Sequence, residues 1–460
     1  MIKLHDYQED AISLLYTKWK TKKRIILWSA TGSGKSEMAA YIAQDALRDG
    51  FPVVMIVRGR ELVKNLSNRL DKYKIDHSVF MANHHRLNKS KLVQICSSDT
   101  LSSRGQYPFE DRNCIVIVDE MHKDYEEVYN RYKTQFIVGL SATPFNDNHM
   151  YDDYIQTIEP WELRDQGILV PDKIFCPHVI DTSGIKIVAG DFKRDQVAQL
   201  VTQGEIVGNV ISDYIKYGDN RPSVCFAVNI EHSKQLRDSF VDAGIPAIHC
   251  DANSSDEERT EAERKLRDGS VKVLCNVDIF SVGWDCPIVS CIILARPTWS
   301  LIWYLQAIGR GLRSSPGKDN CIILDNAGNV YRHGIAYRPR QISLEKPDRK
   351  SKTRKGDTTV RTCLECLSIY ETPASECPYC GAIPPVREIK TADGILSEYS
   401  ESEEEILARK IKEAQVQFYK LQWIARSKGL PKIWIKQQIE KKYGARVIPY
   451  IDQLIKIGSR

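Results

Sequence analysis

Residues 24–36 read RIILWSATGSGKS, and they set the architecture of the first part of the chain. The strand-like run Arg24–Trp28, the glycine-rich turn and the helical pattern after it are typical of a phosphate-binding loop, in which backbone N–H groups converge on phosphate oxygens. We expect Lys35 to reach the β- and γ-phosphates and Ser36 to ligate Mg²⁺. The strict pattern has glycine where Ser29 stands, which weakens the match but leaves the mechanics intact. The candidate nucleotide-binding residues are Thr31, Gly32, Ser33, Gly34, Lys35 and Ser36.

Short apolar runs alternate with helical patterns through the first 335 residues. Strands are predicted at Arg24–Trp28, Pro52–Val57, Leu92–Cys96, Cys114–Val118, Phe136–Leu140, Ser223–Val228, Val271–Asn276, Val289–Leu294 and Cys321–Leu324. Alternation of this kind indicates parallel sheets covered by helices, and a break near Trp161–Pro171 divides the pattern into two α/β domains in tandem. The 460 residues are 42% apolar and 27% charged, and no apolar stretch approaches the roughly 18 residues of a membrane span. We therefore expect a folded cytoplasmic protein that does not bind a membrane.

Two carboxylates, Asp119 and Glu120, directly follow the predicted strand Cys114–Val118. The carboxyl ends of parallel strands face the ligand site in α/β sheets. There one carboxylate can hold Mg²⁺ while its neighbour orients a water for attack on a γ-phosphate. We assign the metal to Asp119 and the water to Glu120. An ordinary pair of surface acids is the alternative, and the phosphate loop upstream makes it the weaker one.

At Asp119-Glu120-Met121-His122 the sequence resembles the superfamily 2 helicases of the DEAD/DEAH type, and the resemblance covers residues 1–335. Further segments match the family's motifs in order: LHDYQ at 4–8, RGREL at 58–62, SDTL at 98–101, SATP at 141–144, FSVGWD at 280–285 and QAIGRGLR at 306–313. The resemblance implies two RecA-like domains, with Gln8 on the adenine base and with Gly283 and Asp285 in the nucleotide site. It also implies that hydrolysis is coupled to nucleic-acid contact by His122, Ser141 and Thr143, and that the strand is contacted by Arg58, Arg60 and Thr100.

The segment 306–313 brings cationic groups from the second domain. Helical spacing places Gln306, Arg310 and Arg313 on one face, so two guanidinium groups can meet a γ-phosphate that the first domain holds. Such residues act as arginine fingers, and their delivery across a cleft links hydrolysis to domain closure. A plain basic surface helix is the alternative. The predicted catalytic residues are Lys35, Asp119, Glu120, Gln306, Arg310 and Arg313.

The phosphate loop, the carboxylate pair and the distant arginines together predict an ATP- and Mg²⁺-dependent motor that moves on nucleic acid. In the family that the sequence resembles, strand contacts grip the phosphodiester backbone without reading bases. We expect a monomeric DNA helicase or translocase acting on branched DNA or on junctions of single strand and duplex, in replication and recombination. An RNA helicase with the same core, or an ATPase switch that binds nucleic acid without translocation, are the alternatives. A restriction-type motor is disfavoured, because no nuclease-like cluster of carboxylates and lysine follows the core.

Four of the 13 cysteines are clustered as Cys363-x-x-Cys366 and Cys377-x-x-Cys380. Two such pairs in a protein of a reducing compartment indicate a metal before a disulfide. Four sulfur ligands suit a closed, structural Zn²⁺ site, and a ribbon of about 30 residues needs the metal to fold. Redox chemistry or an iron–sulfur cluster are the alternatives.

The last part of the chain carries its basic character, because 13 Lys and Arg oppose three acidic residues from Ile406 onward. A polyanion can meet such a tail, although ordinary solvated faces have the same composition. Apolar residues from Ile406 to Ile424 recur at helical spacing, and a second, shorter helix is predicted at Lys432–Tyr443. We expect Phe418 and Trp423 to lie in a core rather than to stack on bases. A helicase core with a four-cysteine ribbon and a basic helical end resembles phage and prophage helicases of the branch-migration kind, which implies the host bacterium's cytoplasm. The predicted parts are two RecA-like domains (1–165, ATP-binding, and 166–335), a basic linker (336–361), a zinc ribbon (362–390) and a helical segment (391–460).

Overall fold

A computed structural model describes most of the chain, in two compact units, Met1–Pro385 and Val386–Arg460. The described residues are 2–82, 84–123, 125–176, 180–201, 205–280, 284, 286–345, 360–384, 410, 411, 414, 418, 421, 425 and 431–457. The predicted sites at Gly283 and Asp285, and the predicted core position of Trp423, lie outside these residues. Within the described part, no helix is both long and apolar enough to span a membrane.

The first α/β domain is built on a seven-stranded sheet in which every pairing is parallel. Its strands are β1 (Arg24–Trp28), β2 (Val53–Val57), β3 (Ser78–Phe80), β4 (Val93–Ser97), β5 (Ile115–Asp119), β6 (Phe136–Ser141) and β7 (Asp153–Gln156). Its helices are α1 (Asp6–Lys18), α2 (Lys35–Arg48), α3 (Arg60–Lys72), α4 (Ser98–Arg104) and α5 (Glu126–Arg131). The strand order is β3-β4-β2-β5-β6-β1-β7, which puts the carboxyl ends of β1, β5 and β6 side by side.

The second α/β domain contains a parallel sheet extended by two antiparallel strands. Its elements are α6 (Pro160–Asp165), β8 (Asp172–Phe175), β9 (Ile187–Val188), β10 (Asp191–Phe192), α7 (Arg194–Val201), α8 (Glu205–Tyr217), β11 (Ser223–Phe226), α9 (Ile230–Asp242), β12 (Ala247–Cys250), α10 (Asp256–Arg267), β13 (Val273–Asn276), β14 (Cys291–Leu294), α11 (Leu301–Gly311), β15 (Cys321–Asp325), α12 (Asn329–His333), β16 (Val360–Thr362) and β17 (Ser368–Glu371). The strand order is β12-β13-β11-β14-β15-β8-β17-β16. These two sheets confirm the α/β class and the tandem layout predicted from the sequence.

The cysteine ribbon does not stand apart from the second domain, as its separate boundary would suggest. Strand β17 pairs with β8, and Ile369 is fully buried in the core of the second domain. The Tyr331 hydroxyl also lies 2.9 Å from the Thr362 hydroxyl, joining the ribbon to α12. The ribbon therefore completes the edge of the sheet, where backbone groups of β8 would otherwise face water.

The first residues of the predicted linker are packed rather than solvated. Ala336 and Tyr337 are buried, and Ile342 and Leu344 pack against the core of the first domain. Asn148 Nδ2 also donates a hydrogen bond of 3.1 Å to the backbone oxygen of Ser343. The high charge of the segment as a whole hid these apolar positions in the sequence.

The second unit is a small helical core of its own. It contains α13 (Lys432–Tyr443), a 3₁₀ turn (Ala445–Val447) and α14 (Ile448–Ile457). Phe418, Ile435, Ile439 and Ile451 are buried together, which confirms the core role predicted for Phe418. The helix predicted at Lys432–Tyr443 has these bounds in the structure.

Candidate active site

The phosphate loop joins β1 to α2 as the sequence predicts. Gly32 and Gly34 have φ angles of +85° and +78°, a region that favours glycine, and Gly34 is the N-cap of α2. The amino end of α2 is therefore open to an anion, with its backbone N–H groups and helix dipole directed at the loop. Lys35 Nζ lies at 3.2 Å from the Ser29 oxygen, and burial lowers its pKa against the opposing pull of Glu120 and Asp119.

The departure from the strict motif at Ser29 has a structural use. The Ser29 hydroxyl is fully buried, contacts the Ser33 hydroxyl and lies 2.7 Å from the Thr157 hydroxyl. Thr157 follows β7 at the sheet edge, so this contact ties the loop to the neighbouring strand. A glycine at this position would leave the loop without that link.

Helix α1 supports the loop from the other side. Gln8 Nε2 donates to the Ser33 oxygen at 2.8 Å, and the Tyr7 hydroxyl donates to the same oxygen at 2.9 Å. Gln8 is buried, and its side-chain carbonyl accepts a hydrogen bond from the His5 backbone. The residue expected at the adenine base thus lies against the phosphate loop, where it fixes the loop's backbone.

The two carboxylates lie at the end of β5, facing the loop. Glu120 has a φ of +50°, an unusual value for a residue other than glycine, and its backbone N–H donates to Asp119 Oδ1 at 2.9 Å. Burial, and then the neighbouring Glu120 charge, raise the pKa of Asp119 to about 6. A bound cation would remove that cost by neutralising the pair, so the two side chains suit the metal and water roles predicted for them.

His122 connects this pair to the rest of the site. Its Nδ1 lies 2.9 Å from the Ser141 hydroxyl and 3.3 Å from Glu120 Oε2, and Ser141 Oγ accepts from the Thr143 backbone at 3.0 Å. Burial lowers the pKa of His122, so the ring is neutral at pH 7. The three residues predicted to couple hydrolysis to strand contact therefore form one buried network beside Glu120.

The second domain reaches this network through α11. Gln306 Nε2 lies 3.3 Å from His122 Nε2, across the boundary between the domains. An amide nitrogen only donates, so His122 accepts at Nε2 and carries its proton on Nδ1. The contact therefore links the histidine beside Glu120 to a helix of the second domain.

The predicted arginines line the same cleft as the phosphate loop. Arg310 and Arg313 both donate to the Trp284 backbone oxygen, at 2.6 and 3.2 Å. Helix α11 ends at Gly311, so Arg313 lies just beyond the helix that the spacing predicted. It still lines the cleft, and the hydrogen bond of 2.8 Å from Val170 N to the Leu312 oxygen fixes the chain beside it.

The cleft between the domains has a volume of about 630 Å³. Its walls include Thr31, Gly32, Gly34, Lys35, Ser36, Asp119, Glu120, Gln306, Arg310 and Arg313. The domains approach so closely that a Cβ on Gly309 would lie 2.9 Å from the Thr31 side chain. All six predicted catalytic residues therefore line one cavity of a size that suits a nucleotide.

Sequence reasoning missed Lys318, which supports one of these arginines. Its Nζ donates to the backbone oxygens of Pro287 (3.0 Å), Val289 and Arg313 (2.7 Å). An ammonium group has three donors, and each has an acceptor here. Burial lowers the pKa of Lys318 to about 8, so the charged form predominates at pH 7. Backbone acceptors leave no sequence pattern, and no signal in the chain could have singled out this lysine.

The predicted strand-contacting residues lie on the first domain outside the cleft. Arg58 and Arg60 are exposed at the end of β2 and the start of α3. Arg58 Nε lies 3.5 Å from Asp99 Oδ1 on α4. Thr100, one residue further, is 6% exposed. The two arginines are thus accessible to a phosphate backbone, whereas Thr100 is packed inside.

The four clustered cysteines converge as a metal site requires. Their sulfur atoms all lie within 4.8 Å of one another, and the pairs Cys363–Cys380 and Cys366–Cys377 are 3.6 and 3.7 Å apart. A tetrahedron with Zn–S bonds of about 2.3 Å has sulfur atoms about 3.8 Å apart. The separations are far longer than a disulfide bond of about 2.05 Å, so the arrangement fits zinc.

Two family models match parts of the chain. Residues 1–146 match the model described as "Type III restriction enzyme, res subunit", and residues 207–315 match "Helicase conserved C-terminal domain". The first range covers the phosphate loop and the carboxylate pair, and the second covers the arginines.

Individual proteins are similar to most of this chain. A 51.5 kDa protein of Lactococcus phage (isolate 7-9) is 29% identical over 369 residues, which cover 77% of either chain. The Saccharomyces cerevisiae protein IRC3, provisionally named an ATP-dependent helicase, is 28% identical over 379 residues, covering 75% of this chain and 54% of its own. The solved structure of the ATP-dependent Type ISP restriction-modification enzyme LlaBIII bound to DNA has a TM-score of 0.52 at 16% identity, covering 71% of this chain and 28% of its own. The chain is therefore similar in sequence to a phage protein and to a yeast protein with a helicase name, and similar in fold to a restriction-modification enzyme.

Proposed function

From the premise that this chain belongs to the superfamily 2 helicases, we propose that it converts ATP hydrolysis into movement along DNA. The observation that carries the proposal is the single cleft between the domains. It joins the phosphate loop of one domain to two arginines of the other, beside a direct contact between His122 and Gln306. Hydrolysis in such a cleft requires the domains to be closed, and product release lets them open.

The residues divide the chemistry of hydrolysis among them. Lys35 and the amino end of α2 bind the phosphates, and Ser36 and Asp119 would hold Mg²⁺. Glu120 orients the attacking water, because Glu120 Oε2 is buried in the cleft and lies 3.3 Å from His122 Nδ1, which holds the carboxylate in place. Arg310 and Arg313 stabilise the charge that develops on the γ-phosphate.

Coupling to the nucleic acid passes through the buried network of His122, Ser141, Thr143 and Gln306. The network touches Glu120 at one end and α11 at the other. A change in domain position alters the His122–Gln306 contact and with it the surroundings of the catalytic carboxylate. Arg58 and Arg60 provide cationic contacts to a phosphate backbone on the first domain.

We propose that the nucleic acid on which the protein acts is DNA. The first family model carries the name of a restriction enzyme, and the LlaBIII structure is described as bound to DNA. An RNA helicase with the same core is the alternative, since contacts to phosphate groups distinguish poorly between DNA and RNA.

Action on branched DNA is the finer part of the proposal. Its support is the basic composition after Ile406, which gives a second polyanion contact beyond the motor. We propose that the ribbon binds Zn²⁺ and has a structural role, since its four sulfur atoms fit that ion and β17 completes the second sheet. We propose that the protein works as a monomer in the cytoplasm of a bacterial host.

Strand displacement measured on matched substrates tests these points. Forks, four-way junctions and blunt duplexes of equal base-pair content are compared with ATP and with a non-hydrolysable analogue. We expect ATP-dependent remodelling of forks and junctions, and little action on blunt duplexes. Equal action on RNA substrates would favour the RNA helicase, and nucleotide-dependent binding without any displacement would favour the ATPase switch.

A further inference from the structure

The cysteine ribbon exposes three apolar side chains close to its metal site. Leu364 is 71% exposed, Leu367 is 39% exposed and Ile383 is 80% exposed. Each lies within three positions of a clustered cysteine, and the four sulfur atoms lie within 4.8 Å of one another. The three side chains therefore lie at the metal end of the ribbon, and we call them the ribbon tip. Side chains this exposed contribute little to the stability of the fold.

The two cysteine pairs form turns of the same geometry, and one turn departs from the pattern. Leu367 N donates to the Cys363 oxygen at 3.1 Å, and Gly381 N donates to the Cys377 oxygen at 2.8 Å. Both turns end in the left-handed backbone region, with a φ of +59° at Leu367 and +73° at Gly381. Leucine therefore occupies a position that glycine occupies in the matching turn.

The leucine at this position is unfavourable for folding. A Cβ atom makes the left-handed region costly for every residue except glycine. Burial does not offset that cost fully, because Leu367 is among the exposed residues of the ribbon. A strained residue that persists at the surface is evidence for a role outside the fold. The side chain of Leu367 is therefore better explained by binding than by packing.

The charge of the ribbon disfavours nucleic acid and lipid as ligands of the tip. Residues 360–384 contain three glutamates, Glu365, Glu371 and Glu376, against one base, Arg361. Four thiolates around the Zn²⁺ that they fit add a net charge of about −2. A phosphate backbone and an anionic lipid surface both require cations on the protein that binds them. An apolar and acidic surface instead suits a basic protein segment.

The ribbon is joined to the second domain by regular backbone pairing. Ser368 and Ile369 of β17 pair with Phe175 and Ile174 of β8, and Ile369 is fully buried. These contacts leave the metal end of the ribbon accessible while its strand is held in the sheet. A partner bound at the tip would therefore move with the second domain.

We propose that the ribbon tip is a docking surface for another protein, whose bound segment presents apolar side chains flanked by lysine or arginine. Leu364, Leu367 and Ile383 form the apolar centre of the interface, and the exposed Glu365 and Glu376 form an acidic rim. Protein interfaces combine an apolar centre with a polar rim, and opposite charges across the rim speed association. The inference goes beyond the proposed function and does not depend on it.

Binding of a defined peptide tests the docking surface. The probe is a fluorescein-labelled peptide of leucine and lysine, about four helical turns long, with all its leucines on one helix face. A peptide of the same composition in shuffled order is the control probe. Fluorescence anisotropy measures the affinity of each full-length protein for both peptides.

A tip variant is compared with a matched surface variant. The tip variant carries Leu364→Ser and Leu367→Gly, and the control carries Ile215→Ser and Val241→Ser, two exposed residues of α8 and α9. We expect the wild type and the control to bind the ordered peptide equally. The tip variant should bind it about tenfold more weakly or worse, because the buried apolar area of two leucines is lost.

The same tip variant separates binding from folding. It should keep one zinc per chain in elemental analysis, and its melting temperature should equal or exceed that of the wild type, because Leu367→Gly relieves the left-handed strain. Its DNA-stimulated ATPase should stay within about twofold of the wild type, since the substitutions lie at the surface outside the cleft.

A charge variant tests the acidic rim separately. Glu365→Gln with Glu376→Gln should weaken binding of the ordered peptide severalfold at low salt and should reduce the salt dependence of its affinity. Unchanged affinity and salt dependence would remove the rim from the proposal and with it the basic character of the partner.

The remaining outcomes overturn the docking surface. Equal binding of the ordered peptide by the tip variant, or equal binding of the shuffled peptide by the wild type, would show that the tip recognises nothing. A clear fall in the melting temperature of the tip variant would make Leu367 a structural residue. A wild-type dimer that becomes a monomer in the tip variant, measured by light scattering, would make a second copy of the chain the occupant.

Discussion

The contact between His122 and Gln306 gives the sharpest prediction about coupling. It is the hydrogen bond through which α11 of the second domain reaches the histidine beside Glu120. Gln306→Ala removes the donor and leaves His122 Nε2 buried without its partner. The nucleic-acid-stimulated turnover number is expected to fall, because the closed arrangement of the domains becomes less stable relative to an open one in which both groups are solvated. The melting temperature should change little, because the contact joins the domains and lies within neither core.

The size of the loss follows from the geometry. Removing one partner of a neutral hydrogen bond, so that a buried acceptor is left without a donor, costs about 1–3 kcal/mol. A loss of about 2 kcal/mol corresponds to roughly a 30-fold slower rate. Because His122→Ala removes the same contact, the double variant should be less impaired than the product of the two single losses, by roughly 5- to 10-fold.

The assay is a double-mutant cycle on steady-state ATPase rates with saturating single-stranded DNA. Lys91→Ala serves as the control partner, since that side chain pairs with Asp76 at the surface and shares no contact with Gln306. Losses from Lys91→Ala and Gln306→Ala should multiply independently. If the losses from His122→Ala and Gln306→Ala also multiply, the two residues act separately and the coupling role is wrong.

Three further predictions concern the loop, the arginine support and the metal. Lys35→Ala should abolish ATP hydrolysis while ATP-independent DNA binding persists, and a variant that hydrolyses ATP at the wild-type rate would remove the assignment of the cleft. Lys318→Met should lower the turnover number about tenfold by releasing Arg313, since hydrogen bonds to a charged group contribute about 1.5–3 kcal/mol. In an Arg313→Ala background, the same change should leave the turnover number almost unaltered. An equal loss in that background would mean that Lys318 has a structural role only. Cys377→Ser with Cys380→Ser should eliminate bound zinc in elemental analysis and lower the melting temperature, because β17 completes the second sheet; one zinc per chain in the double variant would contradict the site.

The chemistry of the cleft could be predicted because phosphate transfer demands fixed residue types at fixed spacings. Lys35, Asp119 and Arg310 lie on three separate elements, and a sequence pattern identifies each of these elements. The structure brings the three side chains into one cavity. Strand positions followed from apolar runs to within one or two residues, as at β2, predicted at Pro52–Val57 and found at Val53–Val57. Local sequence was sufficient wherever burial on both faces imposed a continuous apolar run.

The elements that sequence reasoning missed depend on distant partners. Strand β7 contains the exposed Tyr154 and has no apolar run, and it exists because it pairs with β1. The two-residue strands β9 and β10 are too short for any period, and their hairpin is held by Arg296, more than a hundred residues away. The role of Lys318 could not be predicted either, because its partners are backbone oxygens, which leave no sequence pattern. Tertiary contacts of this kind override local propensity.

The central claim is tested most directly by steady-state ATP hydrolysis in the absence of nucleic acid and in the presence of single-stranded DNA, a four-way DNA junction or RNA, with Lys35→Ala as the blank. The account predicts a low basal rate, strong stimulation by DNA and highest activity with the junction, all of it lost in Lys35→Ala. Hydrolysis that no nucleic acid changes, or that only RNA stimulates, would contradict a DNA motor built on this cleft.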